Sequence, residues 1–224
     1  VIVLDDTVKG PGQPNYAMGS LDQARLDWLT HELQLGQDDN QLMIIAAHIP
    51  FNPYRNLVTD PAQVASSPPK MRLFYVPAEV PGTTSVVSDT SLLTTLQQYP
   101  NLILWIAGHR HMNTITPQIH PTDPTLSFWE VETSSLRDFP QQFRTFNICR
   151  NSDNTISIIV TNVDPAVAAV SPATTARGNA IAAARISAAV TMDDATSHAI
   201  NAELVVELTP AMQAIIANAG TPIA

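Results

Sequence analysis

Cysteine and lysine are both scarce in this chain of 224 residues. A single cysteine, Cys149, excludes an internal disulfide and every metal or redox site built on a Cys-x-x-Cys pair. Lys9 and Lys70 are the only lysines, and the formal net charge is −9. Because no basic stripe is available to neutralise a row of phosphates, binding to nucleic acid or to an anionic membrane is disfavoured.

Long hydrophobic runs are also missing, since no stretch reaches the roughly 18 apolar residues that a membrane-spanning helix needs. The first residues, VIVLDDTVKG, lack the basic region and cleavage pattern of a signal peptide. They begin inside a strand-like apolar run, so we expect further sequence upstream. Apolar residues make up 45% of the chain, which is enough to bury a core and predicts a globular fold.

Strand and helix patterns alternate through residue 163, and this alternation predicts a layered α/β architecture. Buried strands are predicted where apolar runs end at polar residues or glycine, and helices where apolar residues recur at helical spacing. The predicted strands cover 1–4, 42–47 and 101–108, and the predicted helices cover 21–35, ended by Gly36, and 88–100. The segments LSFWEVETSSL and TISIIVTNV alternate enough to predict half-buried antiparallel strands.

Two segments differ in composition from this pattern. Residues 52–87 are rich in proline and predict a long irregular loop. Residues 164–224 are rich in alanine and predict a helical extension, including a helix within 197–220 that Pro210 should break or kink. We therefore divide the chain into a domain portion, 1–163, and a helical extension, 164–224.

Three histidines follow the ends of predicted strands, where open α/β sheets place their ligand sites. His48 ends one apolar run, and His109 and His111 follow another. If the H-x-H segment were extended, both of its imidazoles would point to the same side and could serve one metal region. Neutral imidazole binds Zn, Fe and Mn. Taken alone, H-x-H is also common among ordinary polar loop residues.

Three segments, taken in their order along the chain, make the histidine pattern more specific. GSLDQARLDWLTHEL, IIAAHIPF and LWIAGHRHMN resemble the C-terminal half of a calcineurin-like metallophosphoesterase, and the likeness spans residues 1–163. The residues from Gly108 to His111 match the G-H-x-H motif of that family. FWEVETSSLRDFPQQFRTFNI resembles a segment that follows this motif in bacterial members.

The resemblance implies a fold, a metal centre and an activity. The fold would be the C-terminal portion of an α/β/β/α sandwich, and the activity would be metal-dependent hydrolysis of a phosphoester substrate. His48 and His109 would bind one metal of a two-metal centre and His111 the other, with Fe, Mn or Zn as the metals. The family motifs D-x-H, G-D-x-x-D and G-N-H-D/E are absent, and Asp5 and Asp6 do not replace them. The resemblance thus implies a missing N-terminal half of the same domain and an inactive isolated chain.

Other polar residues near these histidines are weaker candidates. On an extended strand Arg110 would point away from the two metal-binding imidazoles, which favours a supporting role over phosphate binding. Asn113 is a candidate for fixing the turn that follows. Asn52, Tyr54 and Arg55 come directly after the first histidine, and a loop beside a metal ligand is a candidate substrate wall.

Two further interpretations belong to other classes of function. One is a mononuclear zinc hydrolase or lyase, because His48, His109 and His111 with an open fourth position would suffice for catalytic zinc. The other is a non-catalytic interaction module, in which the proline-rich loop and the alanine-rich tail bind a partner and the histidines have lost their role.

Overall fold

The computed structural model describes residues 1–7, 21, 23–50, 89–164, 172–188, 201–217 and 219. The predicted loop over 52–87 lies outside the described residues, as do Asn52, Tyr54 and Arg55. Within the described ranges, no helix has the length and apolar character needed to cross a membrane.

Within the part of the chain that the structure describes, five strands form the central sheet, in the order β1-β2-β3-β5-β4. The first four in this order run parallel, and β4 pairs antiparallel with β5 at the edge. Continuous apolar runs form β2 and β3 because both faces of these strands are covered. The strands are β1 (Ile2–Leu4), β2 (Met43–Ala47), β3 (Leu102–Ala107), β4 (Thr114–Gln118) and β5 (Phe128–Glu132).

Helices α1 (Gln23–Asp38) and α2 (Asp89–Leu96) pack on one face of this sheet. Their buried leucines pack with Trp105 of β3 in one hydrophobic core. The sequence-based end of α1 at Gly36 is wrong, since the helix continues to Asp38. Gly36 is instead buried in the last turn, where a Cβ would overlap the side chain of Met43. Close packing of the helix on the sheet explains this glycine.

A second, antiparallel sheet covers the opposite face. It contains β6 (Phe143–Arg150), β7 (Ile156–Val163) and β8 (Ala202–Val206), in that order. The second core lies between the sheets and includes Ile103, Leu104, Val131, Ile158, Val160 and Leu204. The layers are therefore helices, mixed sheet and antiparallel sheet, which confirms the predicted layered α/β fold class.

In the described residues of the C-terminal extension, 172–188, 201–217 and 219, the helices are α3 (Ala173–Ala188) and α4 (Pro210–Ile216), with β8 between them. The helix predicted within 197–220 is therefore wrong in its first part. Leu204 and Val206 are buried and Val205 is exposed, which is the alternation of a strand. Pro210 does not kink a helix; it occupies the first position of α4, after the N-cap Thr209.

The strand patterns also missed part of the topology. β5, predicted as antiparallel, is parallel to β3 and antiparallel to β4. Neither β4 nor β6 was predicted. The carboxyl ends of β1, β2, β3 and β5 lie at the same edge of the central sheet because these strands are parallel. That edge carries the candidate site.

Candidate metal centre

The structure brings His48 and His109 together at the carboxyl ends of β2 and β3. These strands are neighbours, and the Gly108 N–H donates to the His48 carbonyl at 3.0 Å, which joins the two loops. His109 Nδ1 lies 3.2 Å from His48 Nε2, and the rings are nearly perpendicular, at 80°. Each imidazole thus directs one nitrogen at the other, beside solvent.

Asp6, just after the end of β1, binds the backbone beside this pair of histidines. Its side chain is fully buried, and its carboxylate accepts from the backbone N–H groups of Ile49 at 2.8 Å and His48 at 3.3 Å. Burial raises the pKa of Asp6 to about 6, and these two N–H donors oppose the rise. Sequence reasoning missed this role, although the acidic end of a buried strand was its visible signal.

The H-x-H segment is not extended, so the expectation that period-two geometry aligns its imidazoles is wrong. β3 ends at Ala107, and both histidines have positive φ, 76° for His109 and 58° for His111. The Arg110 N–H donates to the Gly108 carbonyl at 2.9 Å, which closes a γ-turn centred on His109. The turn therefore strains the histidine itself, while Gly108 does not have a left-handed φ.

His111 pairs with a carboxylate that sequence reasoning missed. Its Nδ1 lies 2.5 Å from Asp138 Oδ2, and both side chains are partly exposed. Asp138 belongs to the polar connection between β5 and β6, and no spacing pattern in the sequence links it to the H-x-H segment.

Arg110 binds Glu132, the last residue of β5. Its backbone N–H donates to Glu132 Oε1 at 3.1 Å, and its Nε donates to Oε2 at 2.9 Å. The terminal nitrogen also pairs with Oε2. Glu132 is fully buried and accepts a further hydrogen bond from Thr114 Oγ1 at 3.2 Å. The guanidinium is thus engaged in holding the turn between the two histidines.

Asn113 connects the end of this turn to the segment that follows β5. Its Oδ1 accepts from the Ser134 N–H at 3.1 Å, and its Nδ2 donates to Gln142 Oε1 at 2.7 Å. Gln142 is fully buried and its Nε2 donates to Asp164 at 2.9 Å. The side chain of Asn113 therefore fixes backbone geometry on both sides of the histidine turn.

The distance between the facing nitrogens of His48 and His109 can be compared with the distance that two imidazole ligands of one metal ion require. With metal–nitrogen bonds of 2.0–2.1 Å, two imidazole nitrogens on one tetrahedral metal lie about 3.3 Å apart. The separation of 3.2 Å between His48 Nε2 and His109 Nδ1 fits that requirement. In the part of the chain that the structure describes, no group of three or more His, Cys, Asp or Glu side chains is close enough to hold a metal. Among the described residues, the structure therefore shows two imidazole nitrogens at a suitable separation and no complete set of metal ligands.

Comparison with known proteins identifies no family for this chain. No known family matches the sequence, and no curated protein matches it. Solved structures that resemble the chain include a dimetal phosphatase from Danio rerio, with 16% identity and a TM-score of 0.38. The alignment covers 65% of this chain and 36% of that phosphatase, so the chain spans about a third of its length.

Proposed function

We propose that this chain carries the histidine-rich half of a dinuclear metal centre and acts, with the rest of that centre, as a phosphoester hydrolase. The supporting observation is the facing of His48 Nε2 and His109 Nδ1 at 3.2 Å. Their backbone positions are set by β2, β3 and the buried carboxylate of Asp6 rather than by contact between the rings alone.

The three histidines divide between two metals in this proposal. His48 and His109 hold one ion, and His111 serves the other. The metals are Fe, Mn or Zn, because imidazole with oxygen ligands accepts all three. The remaining ligands, carboxylates among them, come from an N-terminal half of the same domain. When bound, a metal pair activates water and neutralises charge on a phosphoester.

The chain's own residues build the half-site that such a pair needs. The guanidinium of Arg110 binds Glu132, so in this proposal Arg110 fixes the backbone between His109 and His111 and does not contact phosphate. Asp6 holds the turn at His48, and Asn113 holds the turn after His111. In this proposal the loop over Asn52, Tyr54 and Arg55 supplies a wall of the substrate site.

The mononuclear zinc alternative receives less support from the geometry. It needs three histidines around one ion, whereas the described residues form no three-donor group. The non-catalytic module remains as an outcome of the test below.

Metal titration of the 224-residue chain tests the half-site. We expect Co²⁺ or Zn²⁺ to bind, and His48→Ala and His109→Ala each to weaken that binding. The matched control is His31→Ala, on the exposed surface of α1, which should bind as the unmodified chain does. Binding that both active-site variants leave unchanged would overturn the half-site and favour the interaction module.

Hydrolysis of para-nitrophenyl phosphate tests the activity. We expect no turnover by the 224-residue chain and metal-dependent turnover by a longer chain that contains the D-x-H, G-D-x-x-D and G-N-H-D/E motifs. His48→Ala in the longer chain should abolish it, and His31→Ala should not. One tightly bound zinc with turnover by the 224-residue chain would instead establish the mononuclear alternative.

A further inference from the structure

The pairing of His111 with Asp138 determines which ring nitrogen is available for other interactions. His111 Nδ1 lies 2.5 Å from Asp138 Oδ2. An ionised carboxylate only accepts hydrogen bonds, so the neutral imidazole must carry its proton on Nδ1. Its Nε2 then keeps a free lone pair. Among the described residues, Arg137 also lies near Asp138, but its Nε is 3.8 Å from Oδ1 and its side chain is 89% exposed.

The segment that bears Asp138 is anchored to the protein core. The Gln141 N–H donates to the Asp138 carbonyl at 2.8 Å and closes the turn. Phe139 is buried, and the guanidinium of Arg177 on α3 lies 4.9 Å from the centre of its ring. Arg177 also pairs with Asp164 at 3.4 Å. Arg177 of α3 thus packs against the turn that bears Asp138.

The same anchor reaches the segment that bears His111. Gln142 binds Asp164 with one end of its amide and Asn113 with the other, at 2.9 and 2.7 Å. Asn113 lies just after His111, and Gln142 lies just after the turn of Asp138. The segments that bear His111 and Asp138 are therefore both tied to the buried amide of Gln142, which keeps the imidazole close to the carboxylate.

We propose that Asp138 is a positioning residue that holds His111 as the Nδ1–H tautomer and presents its Nε2 to a metal ion. The metal part of this inference rests on the proposed function. A carboxylate that accepts from the remote nitrogen of a metal-binding imidazole both orients the ring and increases its basicity. His109 faces His48 through Nδ1, so in this proposal the two histidines of the H-x-H segment bind metal through different ring nitrogens.

The tautomer is measurable without any metal. In ¹⁵N-histidine NMR spectra of the metal-free chain, at about pH 8.5 where histidines are generally neutral, we expect His111 to carry its proton on Nδ1. The signal is assigned by its loss in His111→Gln. Asp138→Ala should shift the population toward Nε2–H, Asp138→Asn should retain much of the Nδ1–H form, and the control Arg137→Ala should retain all of it. An Nε2–H tautomer in the unmodified chain would overturn the proposal, even if the variants fail to fold.

Metal titration separates this inference from the proposed function. If His111→Ala leaves binding of a second Zn²⁺ unchanged in the longer chain, the dinuclear assignment of His111 fails, whatever its tautomer. If His111→Ala abolishes that binding, Asp138→Ala should weaken it roughly 10- to 100-fold, as loss of such carboxylate partners does elsewhere. Unchanged affinity in Asp138→Ala would overturn the positioning role while leaving the metal site in place.

Discussion

His109 Nδ1 and His48 Nε2 face each other at 3.2 Å although 61 residues separate them along the chain. Parallel pairing of β2 with β3 brings their carboxyl ends together, and the hydrogen bond from Gly108 to the His48 carbonyl fixes the two loops. The backbone of His109 is strained in this arrangement, with φ at 76°. Strain of this kind persists where the surrounding structure holds it, often at functional sites.

The strain at His109 predicts an unusual order of stability. Glycine adopts positive φ without a steric cost, whereas alanine does not, so His109→Gly should be more stable to urea than His109→Ala by about 1 kcal/mol. The control pair is Met112→Gly and Met112→Ala, at an exposed position without positive φ. There the alanine variant should be at least as stable. If His109→Gly were instead less stable than His109→Ala, as expected at residue 112, the turn at residue 109 would not be strained.

Asp6 predicts a dependence of stability on pH in the metal-free chain. Its pKa is raised from 3.8 to about 6 in the fold, so the folded state binds the proton more tightly than the unfolded state does. The resulting stabilisation is full below about pH 3.8 and is lost as the pH rises through about 6. Relative to Asp6→Asn, the free energy of unfolding should fall by about 3 kcal/mol across that range. Parallel pH profiles for the two proteins would contradict the assignment.

The sequence was sufficient to predict the parts of the site that depend on strand pattern. Continuous apolar runs form β2 and β3, so the order of residues in the sequence locates the ends of these strands and the histidines that follow. The backbone of the H-x-H segment could not be predicted in this way, because hydrogen bonds from Arg110 to Gly108 and Glu132 decide it. These bonds join residues whose proximity is created by the fold.

Two other features lay beyond local pattern. Asp138 sits in a polar turn, and its contact with His111 depends on the packing of Phe139 beneath α3. In the C-terminal extension, apolar residues such as Leu204 and Leu208 fit helical spacing as well as strand alternation, and pairing with β7 selects the strand. Tertiary contacts thus override an ambiguous local period.

The buried pair of Arg110 and Glu132 predicts a large loss on truncation. Arg110→Ala removes the guanidinium and leaves the buried carboxylate of Glu132 with the backbone N–H of residue 110 and Thr114 Oγ1 as donors, and this should cost about 3 kcal/mol of unfolding free energy. Adding Glu132→Gln should recover part of the loss, because it removes the buried charge. The control is Arg25→Ala, which breaks an exposed ion pair with Asp5 and should cost less than about 1 kcal/mol. Equal losses in urea unfolding would contradict burial of the first pair.

The strand β8 predicts that alanine substitution at two neighbouring residues changes the free energy of unfolding by very different amounts. Leu204 is 3% exposed and packs between the two sheets, so Leu204→Ala should lower the free energy of unfolding by about 2–5 kcal/mol. Val205 is 53% exposed, and Val205→Ala should change it by less than about 1 kcal/mol. A helix through this segment would place both side chains on one apolar face, and both substitutions would then be costly. Denaturant unfolding of the two variants therefore distinguishes the strand from the helix that residue spacing favours, and similar large losses in both would reject β8.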